Sequence, residues 1–154
     1  MESGDPVVFL ECKSLYENKF SRSAWPGPDY RVPFGLARTI REGDDLTIVT
    51  YGNVALRCAQ AAEVLEAEHG ISTHILDLRT VDAGYDRTAI LRSLRRTGRV
   101  LVADIASNWW QHLDAPVGRI TPLFTRVSYG PEGERAIMPT PDKIVIEALR
   151  IMRY

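Results

Sequence analysis

The sequence predicts an α/β domain built on a mostly parallel sheet, with helices on both faces. Its 154 residues are enough for one domain, since domains run to roughly 100–200 residues. With 45% hydrophobic and 25% charged residues, the composition is that of a folded globular protein. Between residues 46 and 103, apolar runs of strand length alternate with helical patterns. Strands joined by helical crossovers of one hand form a parallel sheet covered on both sides.

Charge and targeting patterns narrow the classes of function. A net charge of −1 gives no broad positive field for a phosphate backbone, so no nucleic-acid partner is expected. No stretch approaches the roughly 20 apolar residues of a membrane span, and the N-terminal residues are acidic where a signal peptide is basic. Cys12 lies in an apparent strand and Cys58 in an apparent helix, which favours reduced thiols over a disulfide. We therefore expect a cytoplasmic protein without a membrane partner.

The chain opens with a short apolar run and a long irregular segment. Residues 7–10 are continuously apolar and include β-branched and aromatic side chains, which predicts a strand buried on both faces. Residues 13–33 show no period, and the two prolines and the glycine of residues 25–29 exclude a regular element there. This segment is interpreted as a linker or an ordered loop.

A strand, a glycine turn and a helix follow. Residues 46–50 form the clearest strand of the chain. Tyr51, Gly52 and Asn53 end it, and apolar residues then recur at helical spacing up to Gly70, which suits the end of a helix. Backbone N–H groups and the helix dipole at such a turn can hold an anion. The turn lacks the dinucleotide fingerprint and the P-loop lysine, so an anion site, an interface and a plain structural turn all remain open.

The alternation continues to the end of the chain. Strands are predicted at residues 72–77, 99–103 and 117–120, and a helix at residues 86–96. Thr140 suits the N-cap of a last helix, Pro141 its first position and Asp142 the positive end of its dipole. Five apolar residues share one stripe of that helix, which should therefore dock on the sheet: Ile144, Val145, Ala148, Leu149 and Met152.

The residue patterns alone contain no self-sufficient catalytic, cofactor or metal site. The glycine and two aspartates at residues 43–45 suit a tight turn better than a magnesium site, because no third oxygen ligand follows at a recognisable spacing. His69, His74 and His112 stand at no zinc-binding spacing and are interpreted as incidental. No glycine-flanked serine elbow supports a hydrolase.

Two groups of side chains are candidates for a surface role. Arginines crowd one helix end and the next strand, where a solvated helix terminus and a partner surface are both open interpretations: Arg92, Arg95, Arg96 and Arg99. Trp109 and Trp110 are adjacent, so their indoles cannot share one face of a strand. The indoles have two alternative roles. An indole can cover an edge of the core, or it can contact a partner protein.

The chain contains six characteristic segments, at residues 6–16, 32–37, 41–52, 75–80, 113–120 and 138–144. Taken in order, they resemble the C-terminal part of the β subunit of thiamin-diphosphate-dependent 2-oxoacid dehydrogenases, in the transketolase superfamily. This resemblance implies a three-layer transketolase C-terminal-like domain at residues 34–154. It also implies that residues 1–33 are a remnant strand of a pyrimidine-binding domain and a linker.

The resemblance further implies a role in a larger enzyme. In the family, the parent subunit decarboxylates a 2-oxoacid and passes the acyl group to a lipoyl arm or another carrier. Thiamin diphosphate and magnesium lie between a diphosphate-binding and a pyrimidine-binding domain, and neither the upstream glutamate nor the diphosphate motif is present here. The chain alone is therefore expected to bind no cofactor, to hold no catalytic residue and to serve assembly and docking.

The implied partners are the subunits that supply the thiamin-binding domains and an acyltransferase or carrier protein, in a homo- or hetero-oligomer. Asp77, Leu78, Arg79 and Thr80 are expected to form the loop that faces a neighbouring domain. After residue 104 the chain is shorter than the family pattern, and the two indoles are expected to replace the missing cover or to meet another chain. The alternatives are a free-standing binding module of the same fold and a transketolase-like subunit that transfers two-carbon units.

Overall fold

The protein folds around a five-stranded sheet. The computed structural model describes residues 4, 6–16, 19, 22–81, 84–103, 118–121 and 131–154. The strands are β1 (Arg38–Arg41), β2 (Leu46–Thr50), β3 (Thr73–Asp77), β4 (Val100–Ala103) and β5 (Gly118–Ile120). The helices are α1 (Gly52–His69), α2 (Arg87–Thr97), α3 (Pro131–Ile137) and α4 (Pro141–Ile151), preceded by a 3-10 turn at Lys13–Leu15.

The sheet is mostly parallel, as predicted. Its strand order is β1-β3-β2-β4-β5, and the pairs β2–β3, β2–β4 and β4–β5 are parallel. The edge strand β1 runs antiparallel to β3, with Arg38 opposite Asp77 and an irregular register between Thr39 and Arg41. The antiparallel edge places the chain before β1 beside the loop that follows β3.

Helices cover both faces of the sheet, so the three-layer prediction is confirmed. On one face, the core joins alternate strand residues to α1 and α4: Leu46, Ile48, Ile75 and Leu101 with Val54, Cys58, Leu65, Ile144 and Ala148. On the other face, the remaining strand residues pack against α2: Val49, Leu76, Val100 and Val102 with Ile90 and Leu94. The two cores follow from the period-two alternation of side chains along each strand.

The predicted helix ends are also confirmed. Gly70 ends α1 with φ +65°, and its N–H donates to the Glu66 carbonyl at 3.1 Å. That left-handed conformation favours glycine. Thr140 caps α4 by accepting a hydrogen bond from the Lys143 N–H at 3.4 Å, with Pro141 in the first turn. Burial of Ile144, Ala148 and Ile151 docks this helix on the sheet.

The prediction of a buried strand at residues 7–10 is wrong. These residues belong to no helix or strand, and Val8, Phe9 and Leu10 are 84%, 73% and 87% exposed. A strand needs a neighbour to pair its N–H and C=O groups, and none of the five strands in the described part of the chain pairs with this run. Cys12 accordingly lies in no strand. Residues 22–37 form no regular element, which confirms the irregular segment around residues 25–29.

Two details at the end of the chain differ from the sequence prediction or lie beyond it. α3 at Pro131–Ile137 was not predicted. β5 begins at Gly118, and residue 117 lies outside the described residues. No helix in the described ranges has both the length and the apolar character needed to cross a bilayer.

Gly43 marks a close approach of two backbone segments. A Cβ atom at this position would overlap the backbone N, C and O atoms of Thr73 at the start of β3. Backbone atoms cannot swing aside as a flexible side chain can, so the approach of the β1–β2 turn to β3 requires glycine.

We therefore expect Gly43→Ala to lower the free energy of unfolding by about 3 kcal/mol, at the upper end of overpacking effects. Gly70→Ala is the control, because the added Cβ atom meets open space and only the left-handed backbone conformation is strained. That strain should lower the free energy of unfolding by about 1 kcal/mol. Urea unfolding of both variants measures the difference. Equal losses in the two variants would contradict a steric requirement at Gly43.

Candidate functional site

The two loops singled out in the sequence lie side by side at the carboxyl ends of β2 and β3. Thr50 and Asp77 are register partners in the parallel pair, and each is the last residue of its strand. The Leu78 N–H donates to the Thr50 carbonyl at 2.9 Å, which ties the second loop to the first strand. Ligands of open α/β sheets bind outside this edge, so its loops form the candidate site.

The first loop is the turn of Tyr51, Gly52 and Asn53. Tyr51 has an extended backbone and stands at the N-cap of α1. Gly52 has φ +60°, and a Cβ atom added to it would meet no other atom within 4 Å. The turn therefore occurs where the sequence predicted it, at the positive end of the α1 dipole. That these three residues form an anion site or an interface remains a prediction.

The second loop, of Asp77, Leu78, Arg79 and Thr80, contacts the chain segment that leads into β1. Thr80 Oγ1 accepts a hydrogen bond from the Gly35 N–H at 3.2 Å, and Arg79 Nη2 donates to the Leu36 carbonyl at 2.8 Å. Leu78 is only 2% exposed and belongs to the core under α2. Only the three polar residues of this loop are therefore available to contact a ligand or a partner.

Arg79 adopts a strained backbone conformation. Its φ of +56° lies in the left-handed region, which costs a non-glycine residue roughly 1–2 kcal/mol. The Asp77 carboxylate accepts a hydrogen bond from the Arg79 N–H at 3.2 Å, and this bond together with the Leu36 contact holds the conformation. Burial raises the pKa of Asp77, and the Arg79 N–H and the charges of Arg79 and Arg38 oppose that rise.

Asp86 joins the same edge to α2 with both carboxylate oxygens. Oδ1 accepts from the Ala89 N–H at 2.9 Å and so caps α2. Oδ2 accepts from the Ala37 N–H at 3.0 Å, immediately before β1. The segment at residues 35–37 is thus fastened to the loop after β3 and to the start of α2.

Several other sequence candidates are structural or lie outside the described residues. Asp45 accepts a hydrogen bond from the Ser72 N–H at 2.7 Å, which supports the turn interpretation of residues 43–45. In the described part of the chain, no three His, Cys, Asp or Glu side chains come together as metal ligands. Trp109, Trp110 and His112 lie outside the described residues.

His74 has a structural role that the sequence analysis did not predict. It is 7% exposed beneath α2, and its Nδ1 lies 2.5 Å from Ser93 Oγ. The contacts continue from Ser93 Oγ to Thr47 Oγ1 at 2.6 Å and from Thr47 Oγ1 to Thr97 Oγ1 at 2.7 Å. On the other side of the ring, Nε2 lies 3.4 Å from Glu42 Oε2. Buried polar groups need such partners. His74 and the three hydroxyl residues therefore form a His74 network inside the core, and the network ends at the exposed Glu42.

A neutral His74 satisfies every member of the network. Assigned from its contacts, Nε2–H donates towards Glu42, and Nδ1 accepts from the Ser93 hydroxyl. Burial lowers the pKa of His74; the Glu42 and Asp44 carboxylates raise it and Arg96 lowers it further. The network lies at the amino ends of the strands, away from the candidate edge, and its role is structural. A signal existed in the sequence, because Ser93 and Thr97 alternate with Ile90 and Leu94 on the buried stripe of α2.

Neither cysteine forms a disulfide, as expected. Cys58 is fully buried in α1, and burial raises the pKa of its thiol to about 12, opposed by the Thr50 hydroxyl. A thiol with that pKa stays protonated at neutral pH and is a poor nucleophile.

Comparison with known proteins identifies the relatives of the chain. The sequence pattern of the family described as "Transketolase, C-terminal domain" matches residues 35–144. The chain is 38% identical over 156 residues to the 2-oxoisovalerate dehydrogenase subunit beta of Bacillus subtilis (strain 168), across 91% of this chain and 46% of that protein. It is 33% identical over 155 residues to the pyruvate dehydrogenase E1 component subunit beta of Acholeplasma laidlawii, across 91% of this chain and 46% of that protein. The chain thus spans about half the length of the curated relatives it matches.

Solved structures share the fold. A structure described as a split gene transketolase, an inactive beta4 tetramer, superposes with a TM-score of 0.63 at 25% identity, across 82% of this chain and 44% of that one. A transketolase from Pichia stipitis superposes with a TM-score of 0.56 at 20% identity, across 76% of this chain and 18% of that one.

The buried His74 predicts a pH-dependent stability. Because folding lowers the pKa of His74 from its ordinary value of 6.5, the unfolded chain binds the proton more readily. The contribution of neutral His74 to the free energy of unfolding is therefore fully present above pH 6.5. It is lost as the pH falls from 6.5 towards the pKa of His74 in the folded protein. Urea unfolding at several pH values between 5 and 7.5 should show the fall, and His74→Asn should flatten it.

His69→Asn is the matched control, since His69 lies exposed at the end of α1. This variant should keep the wild-type pH dependence. An unchanged dependence in His74→Asn would contradict the assignment to His74.

Proposed function

Because the chain belongs to the transketolase C-terminal domain family, we propose that it is the C-terminal domain of the β subunit of a thiamin-diphosphate-dependent 2-oxoacid dehydrogenase. The observation that carries this proposal is the similarity to named β subunits of 2-oxoisovalerate and pyruvate dehydrogenases along 91% of the chain. In this role the domain serves assembly and docking. The decarboxylation and the acyl transfer to a lipoyl arm or another carrier take place on domains outside this sequence.

The exposed N-terminal arm supports an assembly role. We use this name for residues 6–34, whose described residues form no strand. Large apolar side chains along the arm are exposed: Val8, Phe9, Leu10, Tyr16, Trp25, Tyr30, Val32 and Phe34. Apolar surface of this extent is typical of a protein–protein contact. We propose that residues 1–33 contain a strand that completes the sheet of a pyrimidine-binding domain and a linker to the domain at residues 34–154.

The described residues offer no cluster of side chains for the magnesium ion of the cofactor. Magnesium needs several oxygen ligands, and no such cluster occurs in the described ranges. We propose that thiamin diphosphate and magnesium bind to the diphosphate and pyrimidine domains, in other polypeptides or other parts of a longer one. No reaction step and no catalytic residue are assigned to this chain.

The carboxyl edge of the sheet is the proposed interface within the assembly. Asp77, Arg79 and Thr80 form one part of it, and the turn of Tyr51, Gly52 and Asn53 forms the other. The strain at Arg79 favours a functional role for that loop, because strained backbone is concentrated at functional positions. We propose that Trp109 and Trp110 also belong to an interface or cover a core edge.

The proposed partners are thiamin-binding subunits and an acyltransferase or carrier protein, in a homo- or hetero-oligomer. A cytoplasmic location is part of the proposal, because free Cys12 and Cys58 suit a reducing compartment. A two-carbon transferase subunit and a free-standing module are less favoured, since relatives above 30% identity include β subunits of 2-oxoisovalerate and pyruvate dehydrogenases and of acetoin:2,6-dichlorophenolindophenol oxidoreductases.

We expect the purified chain alone to show no thiamin-dependent decarboxylation of a 2-oxoacid. Co-expression with the polypeptides of adjacent genes should give one complex on size exclusion that decarboxylates pyruvate or a branched-chain 2-oxoacid. Turnover by the chain alone would contradict the proposal. Activity of the complex only with ketose phosphates would favour the transferase, and absence of any associated polypeptide would favour the module.

The arm offers a separate test that does not depend on activity. Phe9→Asp and Leu10→Asp should change the free energy of unfolding of the chain by less than about 0.5 kcal/mol, because both side chains are exposed. In co-purification, both variants should lose association with the thiamin-binding polypeptides. Ile146→Asp is the control, since Ile146 is 67% exposed and belongs to α4 rather than to the arm. Wild-type association of Phe9→Asp and Leu10→Asp would contradict docking through the arm.

A further inference from the structure

The strained loop after β3 contacts the point where the arm enters the domain. Among the described residues, Arg79 alone has a positive φ without being a glycine, at +56°. Its loop, at residues 77–80, is hydrogen-bonded to residues 35–37, which follow the arm and which we call the junction. A strained backbone conformation persists only where the surrounding contacts hold it. The contacts of the 77–80 loop therefore determine whether residue 79 keeps its conformation.

Two hydrogen bonds join the 77–80 loop to the junction. Arg79 Nη2 donates to the Leu36 carbonyl at 2.8 Å, and the Gly35 N–H donates to Thr80 Oγ1 at 3.2 Å. Within the loop, the Arg79 N–H donates to Asp77 Oδ1 at 3.2 Å. The side chains of residues 79 and 80 thus depend on the junction for these two contacts.

The junction has a closely defined position against the rest of the domain. Gly35 has φ +71°, and a Cβ atom added to it would lie 2.6 Å from the Gly84 carbonyl oxygen. The Ala37 N–H donates to Asp86 Oδ2 at 3.0 Å, immediately before β1. Only glycine permits such a close backbone approach. A side chain at residue 35 would therefore push the junction out of this position.

Favourable and unfavourable contributions are balanced at Arg79. Its left-handed backbone is strained, and its Nε–H is buried with no acceptor among the described residues. The Leu36 and Asp77 hydrogen bonds offset these two costs. Leu78 is held separately, by burial in the core and by its N–H bond to the Thr50 carbonyl at 2.9 Å. Loss of the Leu36 contact would therefore release Arg79 to solvent and to a negative φ, while the base of the loop stays in place.

We propose that the junction and the 77–80 loop form a latch with two states. In one state residues 35–37 occupy the observed position and Arg79 is left-handed. In the other state the junction is displaced and Arg79 relaxes into solvent. A protein that holds the arm shifts this equilibrium if its affinity differs between the two states. The latch thus couples docking of the arm to the polar groups that the carboxyl edge presents. Arm docking as the input rests on the proposed function, whereas the coupling inside the chain does not.

Nuclear magnetic resonance on the full chain tests the latch from the side of the arm. The measured signal is the Overhauser cross-peak between the N–H and Hα protons of Arg79, which is strong for a positive φ and weak for a negative one. Gly35→Ala should displace the junction and remove the strong cross-peak. Gly27→Ala is the matched control, because Gly27 is a glycine of the arm with positive φ whose added Cβ would meet no atom within 4 Å. This variant should keep the strong cross-peak.

Amide hydrogen exchange tests the latch from the side of the loop. Arg79→Asn removes the guanidinium group and introduces a residue type that tolerates the left-handed conformation. The Gly35 and Ala37 N–H groups should then exchange about tenfold faster, as the loss of one charged hydrogen bond implies. Arg31→Asn is the control, because the Arg31 guanidinium donates to the Pro28 carbonyl at 2.8 Å within the arm. It should leave both exchange rates unchanged.

The Thr47 N–H separates a local effect from a general loss of stability. It donates to the Arg99 carbonyl at 3.0 Å near the amino end of β2, and its exchange should stay close to wild type in every variant. If circular dichroism shows that Gly35→Ala does not fold, Thr80→Val replaces it. This substitution removes the acceptor of the Gly35 N–H without adding an atom to the junction, and it should weaken the Arg79 cross-peak.

Three results would overturn the proposal. If folded Gly35→Ala, or Thr80→Val in its place, keeps the full Arg79 cross-peak, the loop does not depend on the junction. If the Gly35 and Ala37 N–H groups exchange at the wild-type rate in Arg79→Asn, the junction does not depend on the loop. If exchange rises by the same factor at Thr47, the variants lose global stability and there is no latch. All measurements use the chain alone, so their failure leaves the proposed function standing, and a chain without enzymatic partners can still contain the latch.

Discussion

The burial of β2 on both faces is the constraint on which the rest of the structure depends. All five of its residues are buried. Leu46 and Ile48 lie in the core with α1 and α4, and Val49 lies in the core with α2. A strand with two apolar faces is stable only between two helical layers. The crossovers that build those layers bring the ends of β2 and β3 to one edge, so the core also positions the candidate site.

The sequence predicted the elements whose signals are local. The strand at β2, the Gly70 end of α1 and the Thr140 cap of α4 each depend on a few neighbouring residues, and all three are confirmed. Residues 7–10 carry the same kind of apolar signal as β2, yet they lie exposed. Periodicity indicates that a segment suits the interior of a sheet, but it cannot indicate which sheet. The prediction of a buried strand at residues 7–10 is wrong for this reason, because none of the described strands pairs with this run.

The candidate site was predictable only in part, because its geometry depends on contacts between distant residues. The position of the Gly52 turn after β2 follows from the strand–helix pattern. The burial of Leu78 and the left-handed backbone of Arg79 do not, since they arise where the segment before β1 meets the loop after β3. The His74 network was missed for the same reason: its members come from three elements, and none is unusual in its own segment. The alternating polar residues of α2 were the available signal.

The hydrogen bonds of residues 35–37 have a mechanical consequence for the whole domain. Gly35, Leu36 and Ala37 are held by Thr80, Arg79 and Asp86, so the chain enters the fold at the loop after β3 and at the first turn of α2. A force applied to the residues before Gly35 would therefore act first on these hydrogen bonds and not on the strand pairs of the sheet. These three hydrogen bonds hold the junction between the arm and the domain in one position relative to the loop after β3 and the first turn of α2.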